Sequence, residues 1–190
     1  TAVWTREQTA GRGRWGRAWS SAPGKDLLFS VLLAPPADAD LLPAVPVAFA
    51  LGCCDALEGA GAADLLVRWP NDVMARERKI AGILVERRGD GPLVAGVGIN
   101  LDSDEADWPD EIRDATTSCR AEGARAEPEP LLRAVLAGTA DHLEALARDP
   151  GRFDAAWERR CALRGRRSVV ELAGGGRIAG TVEALGCRTG

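Results

Sequence analysis

The chain has 190 residues, 46% of them apolar, with 24 basic and 28 acidic side chains and a net charge of −4. That is long enough for one sizeable domain and a small second one, and the acidic total argues against a general polyanion binder, whose footprint is an overall basic surface. Five cysteines, Cys53, Cys54, Cys119, Cys161 and Cys187, are odd in number and form no C-x-x-C pair, so neither a zinc site nor a disulfide framework is indicated. Thr1 to Thr5 reads as a strand leading straight into Gly11 to Trp19, Gly-Arg-Gly-Arg-Trp-Gly-Arg-Ala-Trp, where arginines are interleaved with glycines. Such a loop gathers positive charge and bares the backbone where a ligand comes close. It makes phosphate chemistry the first expectation, with an Arg/Gly-rich nucleic-acid-binding segment as the plain alternative. A domain rarely starts so near its own site, and further sequence is expected before Thr1.

Leu27 to Leu33 is an apolar run bounded by Gly24 and Pro35-Pro36, the pattern of a buried strand. Leu41 to Leu57 carries apolar residues at helical spacing with its prolines early, and places Cys53 and Cys54 in the core. Its Val45 to Leu57 stretch, the longest apolar run, is read as too short to cross a membrane and is broken by Pro46 and Asp55. With no signal or lipidation pattern, a cytoplasmic location and no membrane partner are expected. Leu65 to Trp69 is a short strand stopped by Pro70, and Asn71-Asp72 supplies turn chemistry before Val73-Met74. Arg76-Glu77-Arg78 reads as a hairpin turn, with Ile80 to Val85 and Leu93 to Ile99 as two further strands.

The second half differs in character. Asp102 to Asp114 is polar without a period and is expected to be a loop. Glu129 to Ala147 and Arg152 to Leu163 read as helices, the second with Phe153 and Trp157 on one face, and the only histidine, His142, is expected at the surface of the first. Ser168 to Leu172 and Arg177 to Val182 form two strands around Gly174-Gly175-Gly176, the opening hairpin of a small β-domain. The expected division is residues 1–163 and 164–190.

Four segments carry polar or glycine signals that packing does not require: the Arg/Gly loop with Gln8 before it, Arg68 to Asp72, Lys79 to Leu84, and Gly96 to Asn100. Taken singly, each has a plain explanation as a turn, a bulge or an edge charge. Among the 24 cationic side chains only Lys25 and Lys79 are lysines, so Lys79 stands where arginine is the default of this chain. An ammonium is a compact point charge, whereas a guanidinium is a planar fork.

In their order, these segments resemble the biotin protein ligase (biotin-[acetyl-CoA-carboxylase] ligase) family. Its patterns G-R-G-R-x-G-R-x-W, K-W-P-N-D, R-K-[IL]-A-G-I-L and G-[IVA]-G-[IL]-N stand here as GRGRWGRAW, RWPND, RKIAGIL and GVGIN. The resemblance implies an α+β fold related to class II aminoacyl-tRNA synthetases, with a mixed, largely antiparallel sheet and the start of an SH3-like C-terminal domain. It implies activation of biotin by ATP, with Mg2+ in the substrate complex, to biotinyl-5'-AMP. Transfer then follows to a lysine of a carboxyl carrier protein, the expected protein partner, while the oligomeric state stays open between monomer and homodimer.

Two anions must meet in that reaction, so cations at the junction are the solution the resemblance points to. Lys79, Arg14 and Asp72 are the implied catalytic residues, Lys79 bridging carboxylate and α-phosphate and Asp72 orienting or deprotonating the incoming lysine. Biotin contacts are implied for Gln8, Gly11, Arg12, Gly13, Arg14, Lys79 and Gly82. Adenylate contacts are implied for Arg12, Arg17, Trp19, Asn71 and Asn100, with Trp108 a further adenine neighbour, and no protein-held metal site is expected. Arg68 replaces the lysine of the family pattern, and the family's upstream S-T-N segment lies outside these residues. Three other readings stay open: a lipoate-type ligase of the same fold, a biotin-sensing transcriptional regulator, and a nucleic-acid-binding module built on the Arg/Gly loop, the last disfavoured by the acidic charge.

Overall fold

A computed structural model describes residues 1–36, 38–87, 89–171 and 174–186. Eight strands and four helices follow in chain order: β1 (Ala2–Thr5), β2 (Asp26–Leu33), α1 (Val45–Gly59), β3 (Leu65–Arg68), β4 (Asp72–Ala75), β5 (Arg78–Arg87), β6 (Leu93–Asn100), α2 (Asp110–Arg113), α3 (Pro128–Arg148), α4 (Pro150–Arg160), β7 (Arg167–Glu171) and β8 (Arg177–Thr181). The first six strands make one sheet in the order β1-β2-β6-β5-β4-β3, each neighbour antiparallel. Among the described residues, parallel pairing enters only as isolated bridges, Val67 with Cys161 and Lys79 with Thr116. β7 and β8 pair with each other in a separate sheet. Cys187 and the strand end expected at Leu172 lie outside the described residues.

Strand alternation gives the sheet two different faces. Leu27, Phe29 and Val31 of β2 point into the core with Val97 and Ile99 of β6. The intervening Leu28, Ser30 and Leu32 point the other way, beside Gly96 and Gly98. Helix α1 covers the first face and α3 packs on α1, making a three-layer stack. Their crossing is close because Gly52 has no side chain: a Cβ there would stand 2.6 Å from the Thr139 backbone nitrogen and 2.9 Å from its Cα. Phe153 and Trp157 of α4 are buried, and Trp157 Nε1 donates to the Leu185 carbonyl at 2.7 Å.

Several expectations need adjustment. The helix read over Leu41 to Leu57 is a 3-10 turn, Ala39–Ala44, followed by α1 from Val45. Pro43 and Pro46 bring no N–H, so the α ladder is established only beyond them. The segment Ala39–Gly59 spans 21 residues with mean hydropathy 1.6, long and apolar enough by composition to cross a membrane, contrary to the shorter reading. Most of it is buried between sheet and α3, which explains its apolarity as core. α4 ends at Arg160 rather than Leu163. The stretch 102–114 holds a 3-10 turn at Glu105–Asp107 and the short α2, the turn stabilised by reciprocal capping between Asp104 and Asp107. His142 is largely buried and hydrogen-bonds Asp55 through Nε2 at 2.7 Å. That bond holds the Asp55 carboxyl below the usual carboxylate range.

Candidate functional site

The uncovered face of the sheet carries a row of small residues: Gly82 of β5 pairs with Gly98 of β6, which pairs with Leu28 of β2. The indole of Trp19 lies on this glycine floor. A Cβ at Gly98 would stand 2.5 Å from Trp19 Cε2, and one at Gly82 would stand 2.8 Å from Trp19 Cζ3. Any larger residue would displace the ring. Trp19 Nε1 is buried and has no hydrogen-bond partner among the described residues.

The Arg/Gly loop arches over that floor as a closed hairpin. Gly13 N donates to Arg17 O at 2.7 Å, Trp19 N donates to Gly11 O at 3.0 Å, and Arg12 bridges Ala18. At its tip Trp15 and Gly16 turn through the left-handed region, with φ of 58° and 73°. Trp15 is therefore a side chain held where glycine is at ease, and its ring sits 5.4 Å from the Arg14 guanidinium. Gly11 admits the chain beside Gln8: a Cβ there would lie 2.7 Å from Gln8 Oε1.

Lys79 reaches the same cavity, although strand periodicity alone would not send it there. Lys79 and Gly82 are three residues apart, so on a regular strand they face opposite sides. The β4–β5 register slips between Val73 and Met74, with Val73 opposite Ala81 but Met74 opposite Lys79, so Ile80 of β5 is the extra, bulged residue. The lysine is thereby swung onto the glycine face. Its Nζ ion-pairs with Asp72 Oδ1 at 2.6 Å and lies 5.3 Å from the Trp19 ring centroid. Asn71 stands next to this pair: its carbonyl accepts from Ile83 N, its amide donates to Ile83 O, both at 2.9 Å, and its Oδ1 accepts from Arg14 Nη1 at 3.2 Å. The amide thus ties the loop arginine to β5.

One cavity accordingly brings together Gln8, Arg12, Gly13, Arg14, Trp19, Asn71, Lys79 and Gly82. Asp72 joins them through its ion pair with Lys79. Gly11 closes the loop beside it, and Arg17 lines the adjoining cavity at the hairpin together with Gly11. Asn100 is not on the lining: it is buried, and its amide donates to Thr117 O at 2.9 Å. Trp108 is also buried.

The sequence reading did not single out Glu86, whose carboxylate accepts from Arg12 Nη2 at 3.2 Å, nor Leu28 and Ser30 on the floor. The signal was present for Glu86, since Gly82, Leu84 and Glu86 follow one another at period two on the site face. Near the end of β2, burial pushes the Asp26 carboxyl up although Ser103 Oγ and Leu101 N donate to it. Lys25 and Asp107 form an ion pair at 2.6 Å that raises the lysine and lowers the carboxyl. Among the described residues no group of three or more His, Cys, Asp or Glu side chains is arranged to hold a metal ion.

One ammonium and two arginines thus line a single cavity with a glycine floor on an antiparallel sheet. Residues 1–104 match the Biotin/lipoate A/B protein ligase family, and the chain belongs to it. It is 30% identical over 141 residues to the bifunctional ligase/repressor BirA of Bacillus spizizenii, covering 72% of this chain and 43% of that protein. It is 41% identical over 105 residues to a biotin--[acetyl-CoA-carboxylase] ligase of Paracoccus denitrificans, covering 52% of this chain and 43% of that one. The chain thus spans less than half the length of these relatives. Among solved structures, the biotin protein ligase of Aquifex aeolicus in complex with biotin and ATP superposes with a TM-score of 0.84 at 31% identity, over 97% of this chain and 78% of that one.

Proposed function

We propose that this chain is the catalytic part of a biotin protein ligase. A biotin carboxylate oxygen attacks the α-phosphorus of ATP, pyrophosphate leaves, and biotinyl-5'-AMP results. The amine of a lysine on a carboxyl carrier protein then attacks the acyl carbon, a proton is lost and AMP departs. The reading puts this reaction in the cytoplasm, with the carrier as protein partner. The observation that carries it is the placement of the Lys79 ammonium beside Asp72, on the glycine floor and under the loop that bears Arg12 and Arg14.

Both reactants of the first step are negative, so the barrier is largely electrostatic. Lys79 offsets the repulsion as a point charge that two oxygens can share, while Arg14, steadied by Asn71, and Arg12 neutralise the phosphates. The Asp72 carboxylate holds the ammonium in place until the ligand oxygens compete for it, and is then free to accept a proton from the carrier amine. Trp19 offers its buried Nε1–H to the ligand, and Gln8 lies at the loop end of the cavity. The hairpin from Gly11 to Trp19 keeps water from the mixed anhydride. Mg2+ belongs to this scheme as the counter-ion that enters with ATP, and Arg17 and Asn100 act on the adenylate only indirectly, through the loop backbone and through Thr117.

The test is isotope exchange between pyrophosphate and ATP. Exchange that depends on added biotin supports the reading, exchange with lipoate in its place selects the other branch of the family, and salt-sensitive nucleic-acid binding without exchange favours the basic-loop alternative.

A further inference from the structure

Glu122 is a buried carboxylate with no part in the chemistry above: its side chain is 2% exposed. Three donors converge on it. Thr117 Oγ1 and Arg78 Nη2 donate to Oε1 at 2.7 and 2.8 Å, and Arg76 Nη1 donates to Oε2 at 2.9 Å. Two of these donors flank Lys79. Arg78 precedes it in β5, and Thr117 belongs to the segment paired with it across the strand edge.

That pairing repairs a gap in the sheet. β6 meets β5 only from Ala81 onward, because Ala81 is opposite Ile99 and β6 ends at the next residue, Asn100. Lys79 would be left with an open edge on that side. Instead Lys79 N donates to Ala115 O at 2.8 Å, and Thr117 N donates to Lys79 O at 2.9 Å. Residues 115–117 act as a borrowed strand, and Asn100 holds the Thr117 carbonyl from the end of β6. Both main-chain groups of the lysine are therefore fixed by a segment with no regular secondary structure of its own, at the position where the bulge redirects its side chain.

We infer that Glu122 is a positioning residue for Lys79: by clamping Arg76, Arg78 and Thr117 together, it locks the borrowed strand against β5 and aims the ammonium at the glycine floor. The inference rests on the biotin-ligase reading. Its physical basis is that a reacting group displaced by about an ångström loses on the order of a hundredfold in rate, whereas the fold tolerates the same shift. A carboxylate suits the post because it accepts several charged and neutral donors at once.

Glu122→Gln and Thr117→Val, each made in the whole protein, test it, with Glu129→Ala as a control that removes only the exposed Arg133 pair. In biotin-dependent pyrophosphate exchange both variants are expected to lose at least about tenfold in kcat with the KM for ATP within about twofold, and the control to be unchanged. A merely structural role is separated by coupling. Affinity for a non-hydrolysable biotinyl-adenylate analogue should fall at least about fivefold for Glu122→Gln in the native background and by less than about twofold when Lys79→Ala is already present. Equal losses in both backgrounds, or wild-type kcat in both Thr117→Val and Glu122→Gln, overturn the inference while leaving the ligase reading intact. If the unaltered protein shows no biotin-dependent exchange, the reading fails and the inference with it. Should Glu122→Gln not fold, Thr117→Val carries the same comparison.

Discussion

The two sides of the central sheet use glycine for opposite ends. On the covered side, in the helical layers, Gly52 of α1 lets the backbone of α3 approach until nothing else fits, with the Thr139 hydroxyl and main chain as its neighbours. On the uncovered face, Gly82 and Gly98 make room for the ring of Trp19, a side chain on a loop. Missing methyl groups serve cohesion in the first place and access in the second. The covered side is closed by packed apolar side chains. The other leaves its ion pairs, Lys79 with Asp72 and Arg12 with Glu86, partly exposed at a cavity, and it is there that a ligand can replace a protein contact.

Replacing Lys79 with alanine should separate the faces most sharply. Exchange is expected to fall by about a thousandfold or more, as for loss of a principal electrostatic group, while the thermal midpoint moves little because the side chain is one-third exposed. Full exchange in that variant would remove the lysine from the mechanism. Gly98→Ala comes next. Its new methyl must push the Trp19 ring off the floor, so biotin affinity should drop about tenfold and the indole emission should change, with stability nearly kept. Gly52→Ala should do the reverse, costing about 1–3 kcal/mol of stability by denaturant titration with kcat per folded molecule unchanged. If both alanine variants lost stability alike, the distinction between the faces would fail.

The smallest effect is in acid. The Asp55 carboxyl is lowered by its bond to His142, so the stability it contributes is present above the ordinary value of 3.8 and lost as pH falls through the depressed one. Burial raises Asp26, so its favourable contribution exists below 3.8 and disappears as pH rises through the elevated value. Relative to wild type, Asp55→Asn should flatten the acid limb of a stability profile. Asp26→Asn should flatten the decline above it, and a shared sign for the two variants would contradict the assigned causes.

Much of this was legible in the residues. Apolar runs and alternation located the main sheet's strands, and the 3.6 period located α3 and α4, because both periods are set by backbone geometry. Element ends were less visible. The start of α1 depends on which proline the ladder can pass, and the turn at Glu105–Asp107 depends on a capping exchange between Asp104 and Asp107. In the site, Gln8, Arg12, Gly13, Arg14, Asn71, Gly82 and Lys79 line one cavity. Asn100 and Trp108 do not line it. Their chemistry suits a ligand, but Asn100 ends β6 with its amide turned to Thr117, and Trp108 is buried in the segment that follows.

The sequence by itself determined which charges this protein can bring to a ligand, where glycine leaves the backbone bare, and which strand residues turn toward the helices, since each is a local property of residue type and spacing. Tertiary structure decided where Lys79 points. Its spacing from Gly82 calls for opposite faces, and only the bulge of β5 at Ile80 against β4, with residues 115–117 standing in for the missing length of β6, turns it toward the arginines. A strand's alternation is carried in its own chain, but a break in register exists only between strands.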